Sequence, residues 1–153
     1  MAHEIERKFL VRSDEWRALA KATHYRQGYL SSVKERVVRV RTIDDQGFLT
    51  IKGINEGLTR LEFEYDIPAE DAAGLLELCE KPLIEKNRSK IELNGLTWEV
   101  DEFFGDNAGL IVAEVELESE DQTFEKPSWV GEEVSGDPRY YNSNLIQNPF
   151  TTW

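Results

Sequence analysis

From His3 to Val11 polar and apolar residues alternate over much of the stretch, the period of a strand with one dry face. Ser13 is a good helix N-cap with Asp14 and Glu15 behind it, so a helix is predicted over Asp14–Ala22 with Trp16, Leu19 and Ala20 on its apolar side. Strands follow at Tyr25–Ser32 and Arg36–Ile43, a turn at Asp44–Gly47, and a strand at Phe48–Gly53. A loop with Asn55 and Gly57 leads to a strand over Arg60–Ile67, which Pro68 ends. Ala72, Leu75, Leu76 and Cys79 recur at helical spacing, so Glu70–Cys79 reads as a helix stopped by Lys81-Pro82. Leu83–Leu93 and Thr97–Phe103 are strands joined by Asn94-Gly95, the strongest short hairpin signal in the chain. Leu110–Glu118 is the last clear strand, and from Glu120 onward the pattern is irregular with short helical turns. About eight strands on short turns, with two helices, predict a closed antiparallel barrel or a sandwich.

The charges sit inside these strands. Residues two apart share a face, so Glu4, Glu6 and Lys8 lie opposite Ile5, Phe9 and Val11. Arg39 and Arg41 oppose Val38 and Val40; Lys52 opposes Leu49 and Ile51; Arg60, Glu62 and Glu64 oppose Leu61, Phe63 and Tyr65. Lys86, Arg88 and Lys90 alternate with Ile91 and Leu93 further along, Glu99 and Asp101 with Trp98 and Val100, and Glu114, Glu116 and Glu118 with Ala113, Val115 and Leu117. For any one strand, a solvated face accounts for this. For the set it does less well, because same-sign neighbours on one face destabilise a sheet, and Glu-x-Glu occurs in three strands and Arg-x-Arg in a fourth. A divalent cation suits the carboxylates and a polyanion suits the arginines and lysines. A sheet closed with this face inward would hold both groups in one chamber.

Composition bounds the reading. The chain has 153 residues, 30 acidic and 18 basic, for a net charge of -12. That argues against nucleic acid and anionic membranes as partners. It also opposes a phosphate substrate unless the basic groups are concentrated where the acidic exterior is not felt. Cys79 is the one cysteine, so no internal disulfide forms, and it reads as a small buried apolar group. A lone cysteine, with no signal peptide and no long apolar run, predicts a cytoplasmic protein. Phosphate-binding glycine loops and His-Glu-x-x-His are absent. With only His3 and His24, a Ser/His/Asp site is disfavoured; His3 heads the first strand and is a minor ligand candidate.

The run His3-Glu4-Ile5-Glu6-Arg7-Lys8-Phe9-Leu10-Val11, with its Glu-x-Glu-x-Lys core, resembles the CYTH superfamily, the triphosphate tunnel metalloenzymes. The resemblance continues through Arg26-Gln27-Gly28-Tyr29-Leu30, Arg39-Val40-Arg41, Thr50-Ile51-Lys52, Arg60-Leu61-Glu62-Phe63-Glu64 and Ile84-Glu85-Lys86-Asn87-Arg88. Glu99-Val100-Asp101, Glu114-Val115-Glu116 and the tail from Gly131 to Tyr140 complete it, so it covers nearly the whole chain. It looks most like the bacterial inorganic triphosphatase branch. It implies an α+β, mainly β fold: a closed eight-stranded antiparallel barrel with a few flanking helices, over residues 1–153 as one domain.

By position in these motifs, the resemblance implies metal ligation by Glu4, Glu6, Glu62, Glu64 and Glu116, with Asp101 and Glu114 as weaker candidates. Lys8, Arg39, Arg41, Lys52, Arg60 and Arg88 are implied to grip phosphate oxygens, joined by Arg139 from the tail. Lys86 and Tyr29 are candidates for activating water; the plainer alternatives are a further phosphate clamp and a packed aromatic. The implied cofactor is Mg²⁺ or Mn²⁺ and the implied partner a small-molecule triphosphate. A class IV adenylate cyclase, a thiamine triphosphatase and a non-catalytic polyphosphate- or nucleotide-binding module are the alternatives. The oligomeric state stays open, a homodimer included.

Overall fold

The computed structural model describes residues 3–153. Its strands are β1 (His3–Val11), β2 (Ala22–Ser31), β3 (Arg36–Ile43), β4 (Gln46–Gly53), β5 (Thr59–Ile67), β6 (Ile84–Leu93), β7 (Leu96–Phe103), β8 (Ile111–Glu116) and β9 (Val130–Glu133), with one α-helix, α1 (Ala69–Leu78). The sheet order is β5-β4-β3-β2-β6-β7-β8-β1, and β1 pairs back onto β5, so eight antiparallel strands close on themselves. One edge of β1 is divided. His3, Glu4 and Ile5 face Leu61, Arg60 and Thr59 of β5, whereas Phe9 and Val11 face Glu133 and Val130 of β9. Gly131 permits that second contact, since a Cβ there would stand 3.1 Å from the Leu10 carbonyl oxygen. No helix among the described residues is long and apolar enough to cross a membrane.

Register fixes which faces turn inward. Lys8 lies opposite Glu114, Arg88 opposite Asp101, and Lys52 opposite Glu62. The charged faces therefore meet around one lumen, and the apolar faces point outward and need cover. On one flank Phe9, Trp98, Val100, Ala113 and Val115 pack beneath Trp16, Trp129 and Phe124, with the Trp98 ring 5.7 Å from Phe9, Phe124 and Trp129. On the other, α1 lays Ala72 and Leu76 on Val40, joined by Cys79 just past its end. A third cluster lies partly in the lumen: Tyr29, Val37, Ile84, Phe103 and Val112 meet Val134, Tyr140, Leu145 and Ile146 of the C-terminal tail. The tail thus closes the barrel on that side and gives the lumen an apolar floor.

Several elements differ from expectation. The helix expected over Asp14–Ala22 is a single 3₁₀ turn, Glu15–Ala18. The Asp14 side chain makes no cap, and the chain turns early into β2 because Ala22 already pairs with Ser89. Burial of Trp16 anchors the turn in place of further helix. The turn expected over Asp44–Gly47 shrinks to Asp44 and Asp45, since Gln46 and Gly47 already oppose Ile43 and Thr42. β9 lies in the stretch expected to be irregular. The Asn94-Gly95 hairpin stands, both residues having positive φ (51° and 77°).

Gly28 sits where β2 passes under α1, and a Cβ there would lie 2.7 Å from both Cys79 Cβ and Leu83 Cδ2. Gly28→Ala is expected to lose about 1–3 kcal/mol through overpacking, read as a lower urea midpoint with an unchanged slope. A midpoint equal to that of the parent would contradict the seating of α1.

Candidate active site

The lumen opens into a cavity of about 400 Å³ lined by seven basic and seven acidic side chains. Its lining is thus formally neutral, and the net charge of -12 belongs to the rest of the molecule. A second recess of about 480 Å³ shares Arg41, Glu64, Arg88 and Glu99 with it.

Carboxylates gather on β1, β5 and β8, where each motif presents a residue every second position. Burial, then Glu114, pushes the Glu6 carboxyl well above its usual range. Burial raises Glu4 against the opposing pull of Lys52, with Glu62 adding to the rise, and burial with Glu4 and Glu99 raises Glu116. Glu62 and Glu114 move the other way. Burial would raise both, but a hydrogen bond with Glu4 and the Lys52 charge lower Glu62, and Lys8 and Arg88 hold Glu114 well down. Glu4 with Glu62, and Glu6 with Glu114, are therefore carboxyl pairs in which one member is pushed up and the other down. Lys52 Nζ lies 3.1 Å from both Glu4 oxygens and 3.5 Å from Glu62, while Lys8 Nζ lies 2.7 Å from Glu114 and 3.8 Å from Glu6.

The arginines form a separate group. Arg39 and Arg41 reach the same Glu64 oxygen at 3.5 and 3.4 Å, and Thr50 Oγ1 donates to it at 2.9 Å. Arg41 and Arg88 flank the Tyr25 ring at 5.0 and 5.1 Å. Burial, with Arg39 and Arg88 nearby, lowers Arg41 to about 10, which leaves it charged at neutral pH. The buried Nε atoms of Arg39 and Arg41 have no hydrogen-bond partner. Buried donors without acceptors are costly, and a polyanion in the cavity would supply the missing oxygens.

Lys86 lies on the floor, 1% exposed. Its Nζ lies 2.8 Å from Asp101 Oδ2 as an ion pair and donates to Asn142 Oδ1 at 3.0 Å. Burial brings it down to about 7, Asp101 opposing and Arg88 adding to the fall. Gln27 Nε2 donates to the Tyr29 hydroxyl at 3.2 Å and to Asn142 Oδ1 at 3.0 Å.

Of the residues singled out in the sequence, Glu4, Glu6, Lys8, Tyr29, Arg39, Arg41, Lys52, Arg60, Glu62, Glu64, Lys86, Arg88, Glu114 and Glu116 all line this cavity. Asp101 does not. It is buried behind the lining, with both oxygens taken by Arg88 at 2.7 and 2.8 Å and by Lys86, so ion pairing occupies the group expected to ligate metal. Glu64 is likewise held among arginines. Arg139 lies outside: its side chain is exposed, paired with Asp137 at 2.7 Å and placed over Tyr140 and Trp153, so the expected phosphate grip from the tail has no counterpart in its position. Sequence reasoning missed Tyr25, Gln27, Thr50 and Asn142. The first three share the parity of Tyr29 or Lys52 and were findable on that ground; Asn142 sits in a tail without periodicity.

Among the described residues no trio of carboxylate, histidine or cysteine groups is already drawn together around a cation position. The donor chemistry nevertheless fits a hard divalent ion. Glu4, Glu6, Glu62, Glu114 and Glu116 face one cavity, and Glu62 Oε2 is buried with no hydrogen bond, only the 3.5 Å approach of Lys52 Nζ.

Comparison with known proteins agrees with this geometry. The family model of the CYTH domain matches residues 2–141. The chain is 55% identical over 151 residues to the inorganic triphosphatase of Acetivibrio thermocellus, covering 98% of this chain and 97% of that protein. It is 39% identical over 146 residues to the inorganic triphosphatase of Nitrosomonas europaea, covering 93% and 95%. A crystal structure of an inorganic triphosphatase, 36% identical, superposes with a TM-score of 0.65 over 93% of this chain and 96% of that one. Fold, lining and similarity converge, and the chain belongs to the CYTH domain family.

Proposed function

We propose that this protein hydrolyses inorganic tripolyphosphate to pyrophosphate and orthophosphate within its barrel, with Mg²⁺ or Mn²⁺ as cofactor. The observation that carries the reading is one cavity holding an arginine group with unsatisfied donors beside a cluster of carboxyls from β1, β5 and β8. The names of the two relatives support tripolyphosphate over the other triphosphates. Free Cys79, buried under α1, fits a reducing cytoplasm.

Metal dependence is general in the family, and here Glu4, Glu6, Glu62 and Glu116 would hold the ion, with Glu114 shared between it and Lys8. A bound divalent cation supplies charge neutralisation on the phosphate oxygens and lowers the pKa of water. Arg39, Arg41, Lys52, Arg60 and Arg88 bind and orient the chain of phosphates, which is most of what phosphoryl transfer asks of a protein. Lys86 Nζ, in its neutral form, takes a proton from the attacking water. The Tyr29 hydroxyl accepts from Gln27, which leaves its O–H able to donate toward the cavity.

The direct assay is incubation with tripolyphosphate, ATP or thiamine triphosphate plus Mg²⁺ or Mn²⁺, measuring orthophosphate and cyclic AMP. Fastest phosphate release from tripolyphosphate is expected, and cyclic AMP without phosphate would overturn the reading. Lys86→Ala is expected to lower kcat about 100-fold or more with KM within about threefold; equal losses in both would remove the base role. Since the neutral amine is the active form, kcat/KM should rise with pH through about 7 and level off above it, and a kcat/KM falling across that window contradicts the assignment. Because burial raises the Glu4 and Glu6 carboxyls, Mg²⁺ binding on the acid side of neutrality should release protons. Calorimetry in buffers of different ionisation enthalpy reads this directly, and heats independent of buffer would contradict it.

A further inference from the structure

The C-terminal tail does more than close the barrel. Tyr141, Asn142 and Ser143 line the cavity, and they are carried there by Tyr140, Leu145 and Ile146, which are buried against Ile84, Phe103 and Val112. Within this stretch Asn142 Oδ1 makes two hydrogen bonds at 3.0 Å, one from Lys86 Nζ and one from Gln27 Nε2. Gln27 is wholly buried, and its amide nitrogen also reaches the Tyr29 hydroxyl at 3.2 Å. A single tail oxygen is thereby tied to both side chains assigned to water activation, directly to Lys86 and through Gln27 to Tyr29.

The geometry at Lys86 gives this contact its meaning. Nζ lies 2.8 Å from Asp101 Oδ2 as an ion pair and donates one directional hydrogen bond, to Asn142 Oδ1. Lys86 also lines the cavity. With the Asp101 contact alone the head group would rotate about Cε–Nζ. Asp101 is itself clamped by two hydrogen bonds from Arg88, so the ion pair is held in place, and Asn142 supplies the directional bond that stops rotation. A neutral oxygen does this without placing another negative charge beside a triphosphate.

We propose that Asn142 is a positioning residue for the reaction: it orients Lys86 Nζ toward the substrate, so turnover depends on the docked tail. The inference rests on the triphosphatase reading and on Lys86 acting within it.

The test has two readouts on Asn142→Ala and on Leu145→Ala, a fully buried tail residue that is not itself part of the cavity lining. Steady-state kinetics with tripolyphosphate and Mg²⁺ should show kcat down about tenfold or more for Asn142→Ala, with KM within about twofold, since loss of orientation costs rate and not binding. In ¹⁵N-lysine NMR without substrate, the Nζ protons of Lys86 should be slow to exchange in the parent and faster in Asn142→Ala, while thermal unfolding stays cooperative. Leu145→Ala should loosen the tail and lower kcat in step with faster Nζ exchange. If the parent fails to cleave tripolyphosphate, the functional reading falls, whereas the exchange arm still decides whether Asn142 holds Lys86. Asn142→Ala with parental kcat, with a raised KM and unchanged kcat, or with unchanged Nζ exchange overturns the proposal.

Discussion

Everything in this molecule depends on placing charged groups of both signs inside a closed sheet. Moving ions from water into a protein interior costs several kcal/mol each even after relaxation, and attraction between opposite charges offsets that only when their positions are fixed. Here the antiparallel register fixes them. Lys8 meets Glu114, Lys52 meets Glu62 and Arg88 meets Asp101 because those residues are directly opposite in adjacent strands. The balance is incomplete at two places. Carboxyls of β1 crowd those of β5 and β8, and two arginine Nε donors lack acceptors. Each residue of unsatisfied charge defines the ligand that would relieve it: a cation at the first, a polyanion at the second.

Turning the polar face inward leaves the apolar face outward, and the rest of the chain answers that need. α1 covers Val40, the Trp16 turn and the Phe124–Val130 stretch cover Trp98, and β9 occupies the half of the β1 edge that β5 leaves free. The C-terminal tail fills the lumen on one side with Val134, Tyr140, Leu145 and Ile146. That plug helps bury Lys86, and burial is the first cause of its lowered pKa. Cover and chemistry are therefore coupled: the segments that shield the barrel also set the electrostatics of the site.

Most of the fold and of the lining was legible in the sequence because the two-residue period is strict. Parity alone groups Glu4, Glu6 and Lys8, or Arg39 and Arg41, and motif order assigns them to one face. What parity cannot supply is the partner of each charge. Asp101 has the alternation of a lining carboxylate, yet its place opposite Arg88 commits both oxygens to ion pairs. Arg139 and Asn142 lie three residues apart in a tail with no period, and local pairing with Asp137 turns one outward while the packing of Leu145 brings the other in. The helix expected after Ser13 failed for a related reason, since cap chemistry speaks only for the first turn and pairing of Ala22 with Ser89 claimed what followed.

The central claim is that the triphosphate lies between the arginine and carboxylate groups inside the barrel. A crystal structure with imidotriphosphate and Mg²⁺ tests it most directly. The account predicts phosphate oxygens against Arg39 and Arg41, with the cation among Glu4, Glu6 and Glu62. An anion bound on the outer surface, or a lumen that stays free of it at saturating concentration, would contradict the account.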